Sequence, residues 1–133
     1  MPKGKKKKKC FEELVYSPGF SLFAYTSMIS LLYLVGVVLL WREPYLLALV
    51  LAGLSALAIF IGSERARDLA LYTWVAILGA GSEAICISFG IWTYSAPGIV
   101  AGIPFWLPLV WGMGAVFIKR SAVFACFLRK CME

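Results

Sequence analysis

Residues 45–62 read YLLALVLAGLSALAIFIG, a run without a single charge, and the turn Ser63-Glu64-Arg65-Ala66-Arg67-Asp68 closes it. A helix rises about 1.5 Å per residue, so this run approaches the roughly 30 Å hydrocarbon core of a bilayer. A helix that is apolar on every face is buried all round, in a large protein core or in a membrane. In a chain of 133 residues no core is large enough to surround it, so it is read as a membrane span.

The same pattern repeats on both sides. Residues 20–41 form an apolar run closed by Arg42-Glu43-Pro44, residues 69–94 form another, and residues 103–118 form a shorter one that stops at Lys119-Arg120. The chain is 62% hydrophobic and 15% charged, against about 45–50% and about 25% in soluble domains. Four spans use roughly 80 residues, which leaves only tails and short loops. The expected fold is an all-α membrane protein with four transmembrane helices in an up-down bundle, because short connections make consecutive helices antiparallel neighbours. The organisation that follows is a basic tail with an interfacial segment at 1–19, a transmembrane domain at 20–118 and a second basic tail at 119–133. The apolar stretches Phe11–Tyr16 and Ala122–Leu128 are too short to span and are expected along the interface. Pro104 fits a first helical turn, whereas Pro108 is expected to kink the last span.

Twelve of the 13 basic residues fall on one side: six in the N-terminal tail, Arg65 and Arg67 in the second turn, and Lys119, Arg120, Arg129 and Lys130 at the end, with only Arg42 opposite. The positive-inside rule then puts both termini in the cytoplasm of a multi-pass cell-membrane protein, in a bacterial setting the inner membrane. Trp41, Tyr45, Trp92, Tyr94 and Trp106 fall at the opposite interface, as an aromatic belt should. Lys5, Lys6, Lys7, Lys8 and Lys9, with Lys119 and Arg120, are read as contacts to anionic lipid headgroups, at about 1 kcal/mol per residue near the surface. The partner is therefore the bilayer rather than nucleic acid, with a homo-oligomer or a larger membrane complex left open. Glu64, Arg65, Arg67 and Asp68 are read as a solvated turn with local ion pairs.

Several chemistries are excluded. Histidine is absent, which removes the commonest general base and the usual zinc ligand. Cys10, Cys86, Cys126 and Cys131 contain no C-x-x-C pair, and three of them would face a reducing cytosol, so neither a metal site nor disulfides are expected. No glycine-rich phosphate loop is present, and no cofactor is expected.

Glu83 stands apart from every other charge. It lies 14 residues after Leu69 and 11 before Tyr94, near the midplane of the third span and slightly toward its outer side. An acid at such depth costs at least about 2.5 kcal/mol on insertion scales and marks a functional site by default. It must face the bundle interior, and a neutral carboxyl hydrogen-bonded to hydroxyls is the expected state. Steps of three and four residues place Tyr72, Ala76, Gly79, Glu83, Cys86, Gly90 and Tyr94 on one stripe of small and polar residues, which lets helices approach closely. At similar depth lie Ser30, Tyr33, Ser55 and Trp111, so these four with Glu83 and Tyr94 are the candidate pocket.

From Glu83 onward the chain has a recognisable order: the acid, Gly90-Ile91-Trp92-Thr93-Tyr94, then Gly102-Ile103-Pro104-Phe105-Trp106-Leu107-Pro108 and Trp111. This resembles the C-terminal half of small uncharacterised bacterial four-helix inner-membrane proteins, which implies no particular activity. A looser similarity is to the carotenoid-biosynthesis hydratase family, with its intramembrane acid, Gly-x-x-Tyr stretch and Gly-x-Pro turn. Those enzymes are longer, so membership would make this chain a fragment. Small multidrug resistance transporters carry their glutamate in the first helix and pair as inverted copies. Glu83 is in the third span and the charge is one-sided, so the chain is not placed among them. The leading expectation is a buried Glu83 that binds a lipid-like ligand or a proton. The alternatives are an enzyme on an isoprenoid or lipid substrate with Glu83 as its acid, a proton-coupled transporter subunit, and a structural subunit.

Overall fold

The computed structural model describes residues 12–95, 99–100 and 102–132; Lys5 to Lys9 and Cys10 lie outside the described residues. Four long helices carry the fold: α1 (Pro18–Leu40), α2 (Pro44–Ile61), α3 (Arg65–Ser88) and α4 (Leu107–Met132). A helical turn at 12–15 precedes α1. A small antiparallel hairpin, β1 (Ile99–Val100) with β2 (Ile103–Pro104), joins α3 to α4, pairing Ile99 with Pro104 and Val100 with Ile103. All four helices are long and apolar enough to cross a membrane. Their outward faces remain apolar, with Leu49 71%, Trp74 65% and Ile77 61% exposed. Left in water, side chains of that size would forgo about 1.5–3 kcal/mol each; among acyl chains they do not. This is a small all-helical polytopic membrane protein.

Prolines open three of the helices. Pro18 starts α1 behind Ser17, whose Oγ accepts from the Phe20 N–H at 3.2 Å. Pro44 starts α2, and Pro108 is the second residue of α4. In a first turn the missing N–H would have had no intrahelical acceptor. The kink expected at Pro108 is thus corrected to a helix start, and Pro104 belongs to β2 rather than to a helix.

The third helix stops at Ser88, six residues short of the expected Tyr94. Gly90 explains this: at φ 70° it takes the left-handed conformation that glycine reaches most cheaply. The Gly90 N–H donates to the Ile87 carbonyl at 2.9 Å and the Ile91 N–H to Cys86 at 3.1 Å, the paired bonds of a Schellman stop. The last helix errs the other way. Lys119 and Arg120 do not end it, and it continues to Met132, so Ala122–Leu128 belongs to the same helix. Arg129 and Lys130 occupy its final turn, where they complement the helix dipole. Cys86 and Cys126 are free thiols, whereas Cys131 is disulfide-bonded, which corrects the expectation of unpaired cysteines.

Sequence order is not packing order. The most extensive contacts are α3 with α4 and α1 with α4, then α1 with α2, while α2 and α3 touch little despite their short turn. So α4 lies between α1 and α3. Phe23 stacks on Phe124 with ring centroids 4.5 Å apart, and Tyr33 approaches Leu109, so α1 and α4 run antiparallel. Between α3 and α4 the fit is reciprocal: Gly79 of α3 receives the Trp111 ring of α4, and Gly112 of α4 receives the Tyr72 ring of α3. Without a Cβ at either glycine the two backbones approach as close helices in membranes do. The core is Ile29, Tyr33, Leu47, Leu51, Ala58, Trp106 and Met113.

Candidate functional site

Glu83 lies five residues before the end of α3, about 7.5 Å from it along the axis. It is half-buried rather than enclosed, which corrects the expected burial and moves it from the midplane toward the hairpin end of the bundle. Two groups from the chain just beyond the helix donate to it. Trp92 Nε1 reaches Oε2 at 3.0 Å, and the Tyr94 hydroxyl reaches the same atom at 2.9 Å. The Gly90 stop is what makes this possible. A helix continued to Tyr94 would carry that residue about 16 Å further along the axis; the turn brings it back. Burial, and then the neighbouring carboxylate, push the Tyr94 phenol above its usual value, so it remains a donor through neutral pH.

Beside Glu83 an apolar groove of about 670 Å³ runs between α3 and α4, lined by Leu71, Val75, Leu107, Val110, Trp111, Gly114, Ala115 and Ile118 and ending at Lys119. From Leu71 to Glu83 and from Leu107 to Lys119 the run is 12 residues on each helix, or about 18 Å. Lys119 also lines a second cavity of about 410 Å³ at the basic end. Its ammonium is tied up there, so its methylene stem faces the groove, as long cationic side chains permit.

The other pocket candidates lie elsewhere. The Tyr33 and Ser55 hydroxyls are in hydrogen-bond contact, and Ser55 Oγ is 3.0 Å from the Tyr72 hydroxyl. The Leu51 carbonyl oxygen lies 2.8 Å from both Tyr33 and Ser55, so that these hydroxyl hydrogens are shared around one cluster. Ser30 lines a separate crevice of about 370 Å³ between α1 and α4, next to Tyr33, and its Oγ is buried with no hydrogen-bond partner among the described residues. The expected six-residue pocket therefore divides. Glu83 and Trp111 line the α3–α4 groove and Tyr94 bonds to Glu83, while Tyr33 and Ser55 join α1 to α2 and Ser30 lines the crevice between α1 and α4. Tyr72, absent from the expected set, completes the second group.

At the basic end, Asp68 departs from the expected solvated turn and Arg120 from the expected headgroup contact, whereas Glu64 and Arg67 form an exposed local pair. The Asp68 and Arg120 side chains are 3% and 4% exposed and meet at 2.7 Å. Arg120 Nη1 donates to Thr26 Oγ1 at 2.7 Å and Nη2 to the Ala58 carbonyl at 2.8 Å. That carbonyl is free because the Gly62 N–H bonds back to Ile59 instead. One guanidinium on α4 thus holds α1, α2 and α3. Lys119 donates to Asp68 Oδ1 and Glu64 Oε2, both at 2.8 Å, and Arg67 reaches Glu64 at 2.7 Å. Lys119, and then Arg67, hold the exposed Glu64 carboxyl below the usual carboxylate range. A Cβ on Gly62 would lie 2.5 Å from Arg120 Nη2 and 2.6 Å from Asp68 Oδ2, so the turn needs glycine for space. Among the described residues no group of three or more potential ligands could hold a metal ion.

Compared with known proteins, the chain matches no family model, no curated protein and no solved structure. Neither resemblance noted above gains a homologue from this, and the site has to be read from its own geometry.

Proposed function

We propose that this protein binds a lipid-like amphiphile in the α3–α4 groove, with Glu83 fixing the polar end. The observation that carries this reading is the union of a long apolar groove with a carboxylate at one end, its Oε2 held by Trp92 and Tyr94. Ligand sites are mostly apolar with a few placed polar groups, and this groove has that character. Bound water or an acyl chain alone would not require an acid whose insertion is costly.

Gly114 tests the reading. A Cβ there meets nothing within 4 Å, and Gly114 borders both this groove and the α1–α4 crevice, so Gly114→Leu directs its added carbons into open space and replaces a poor helix former. The expected result is an unchanged or raised melting temperature in detergent, with loss of the lipid that copurifies with the wild type and is detected by mass spectrometry. Retention of that lipid by the variant removes the groove from consideration.

We infer further that the basic end faces the cytoplasm. Arg65, Arg67, Lys119, Arg120, Arg129 and Lys130 gather there, and Arg42 is the basic residue at the other end among those described, which supports the orientation by the positive-inside rule. Arg67 is exposed beside the charged turn, so an impermeant maleimide should label an Arg67→Cys variant in inverted vesicles and, in intact cells, label it no more than the wild type. Labelling from outside reverses the assignment.

A further inference from the structure

Resting on the groove reading above, we infer that the ligand's head is a cationic ammonium on a single apolar chain. Three features of the Glu83 end point the same way. First, among the described residues no ion pair reaches Glu83. The lysine that shares its groove, Lys119, lies at the far end, where Glu64 and Asp68 hold it. A phosphate or carboxylate head at Glu83 would set two acids side by side with no cation between them, whereas an ammonium can donate to the carboxyl and pair with it in its ionised form.

Second, Trp92 and Tyr94 both spend their polar hydrogens on one oxygen, Oε2. Oε1 is then the atom left to accept from a ligand, and the bonds fix the direction in which the carboxyl presents it. Third, the surroundings are aromatic. Trp92 is 43% exposed and Trp111 39% exposed, and Trp111 sits over Gly79, one turn before Glu83 on α3. Indole faces attract ammonium groups, most strongly where water is excluded, and aromatic cages recognise quaternary ammonium ligands in this way. An acid bonded by one indole N–H, in an apolar groove that a second indole lines, suits an alkylammonium head on an apolar tail.

The groove also limits the tail. Its length of about 18 Å slightly exceeds half of the roughly 30 Å hydrocarbon core, which suits one extended chain of the length found in a single leaflet. Lys119 closes the end with its methylenes.

The test uses the full chain in a nonionic detergent with four probes of one chain length: hexadecylamine, hexadecyltrimethylammonium, hexadecanol and hexadecyl phosphate. Binding is read as the rise in melting temperature with probe concentration, which mass action ties to affinity. The two cationic probes are expected to bind at least about tenfold more tightly than the alcohol or the phosphate, the range of a desolvated cation–aromatic contact. In Glu83→Gln the advantage of the cationic probes over hexadecanol should fall below about twofold, and an unliganded melting temperature near that of the wild type checks the variant's fold. Equal binding of all four probes, unchanged by Glu83→Gln, overturns the ammonium assignment and leaves a groove that reads only tails. Binding of none of them, or tighter binding of the phosphate, overturns it as well, and the former also removes the groove reading.

Discussion

Arg120→Met is expected to lower stability by about 3–5 kcal/mol, the usual result of leaving one partner of a buried ion pair without the other. The substitution keeps much of the side chain's length and apolar volume, so the loss comes from what the guanidinium held. Asp68, 3% exposed, would keep only Lys119, and both Thr26 Oγ1 and the Ala58 carbonyl would lose the donor that joins them to α4. Removing both charges should do much less harm: Arg120→Met with Asp68→Leu is expected to recover to within about 1–2 kcal/mol of the wild type, because apolar replacement of a buried pair is often neutral. Arg67→Ala is the contrast. Its pair with Glu64 is solvent-exposed, and such pairs contribute about 0.2–1 kcal/mol. Unfolding midpoints in a graded denaturing detergent compare the variants on one scale. Equal effects of Arg120→Met and Arg67→Ala would sink the claim that one guanidinium holds the four helices together.

That ion pair also marks where sequence reasoning stopped short. The ends of α1 and α2 fall within about two residues of those expected, at Pro18–Leu40 and Pro44–Ile61, the ordinary uncertainty of helix boundaries. Charge-free runs between charged turns leave little else to conclude. The rule that charges end a helix then failed at Lys119-Arg120, because it considers one helix at a time. Asp68 and Arg120 neutralise each other only once α3 and α4 are set antiparallel, and no single run reveals that. An acid at the start of one span and a base near the end of an antiparallel one are a signal that could have suggested it.

The candidate site was legible to a similar degree. Glu83 was visible as the acid inside an apolar run, but its depth was misjudged because Gly90 was counted as one more small residue on the stripe. Read as a helix stop, it would have placed Trp92 and Tyr94 in a returning loop. Tyr33 and Ser55 share a depth with each other, yet depth says nothing of face. The α1 face that carries Tyr33 turns to α2 and α4, where Ser55 and the Leu109 carbonyl lie, and α3 contributes Tyr72 there rather than Glu83. Which face meets which depends on α4 lying between α1 and α3, a packing order that short connections do not determine.

The close approach of α3 and α4 gives the last prediction. Gly79→Leu should destabilise by about 3 kcal/mol, toward the upper end of what overpacking costs. A Cβ at Gly79 would already overlap the Trp111 side chain at its own Cβ and at two ring atoms, Cγ and Cδ2, and a leucine adds three more carbons in the same direction. Trp111 then has to swing out, or α3 and α4 must separate. Separation would loosen the fit at Gly112, where the Tyr72 ring lies 2.8 Å from the position of a Cβ. Rotation of Trp111 would carry its ring into the groove beside Glu83. Either response reduces ligand binding together with stability, whereas Gly114→Leu should reduce binding alone. Gly53→Ala and Gly81→Ala are the controls. A Cβ at either position meets nothing within 4 Å, so both should gain the roughly 0.5–1 kcal/mol that alanine brings to a helix interior over glycine. Gly79→Leu melting alongside these two would mean that the α3–α4 contact is not as close as the Trp111 geometry requires, and the groove between the helices would lose its wall.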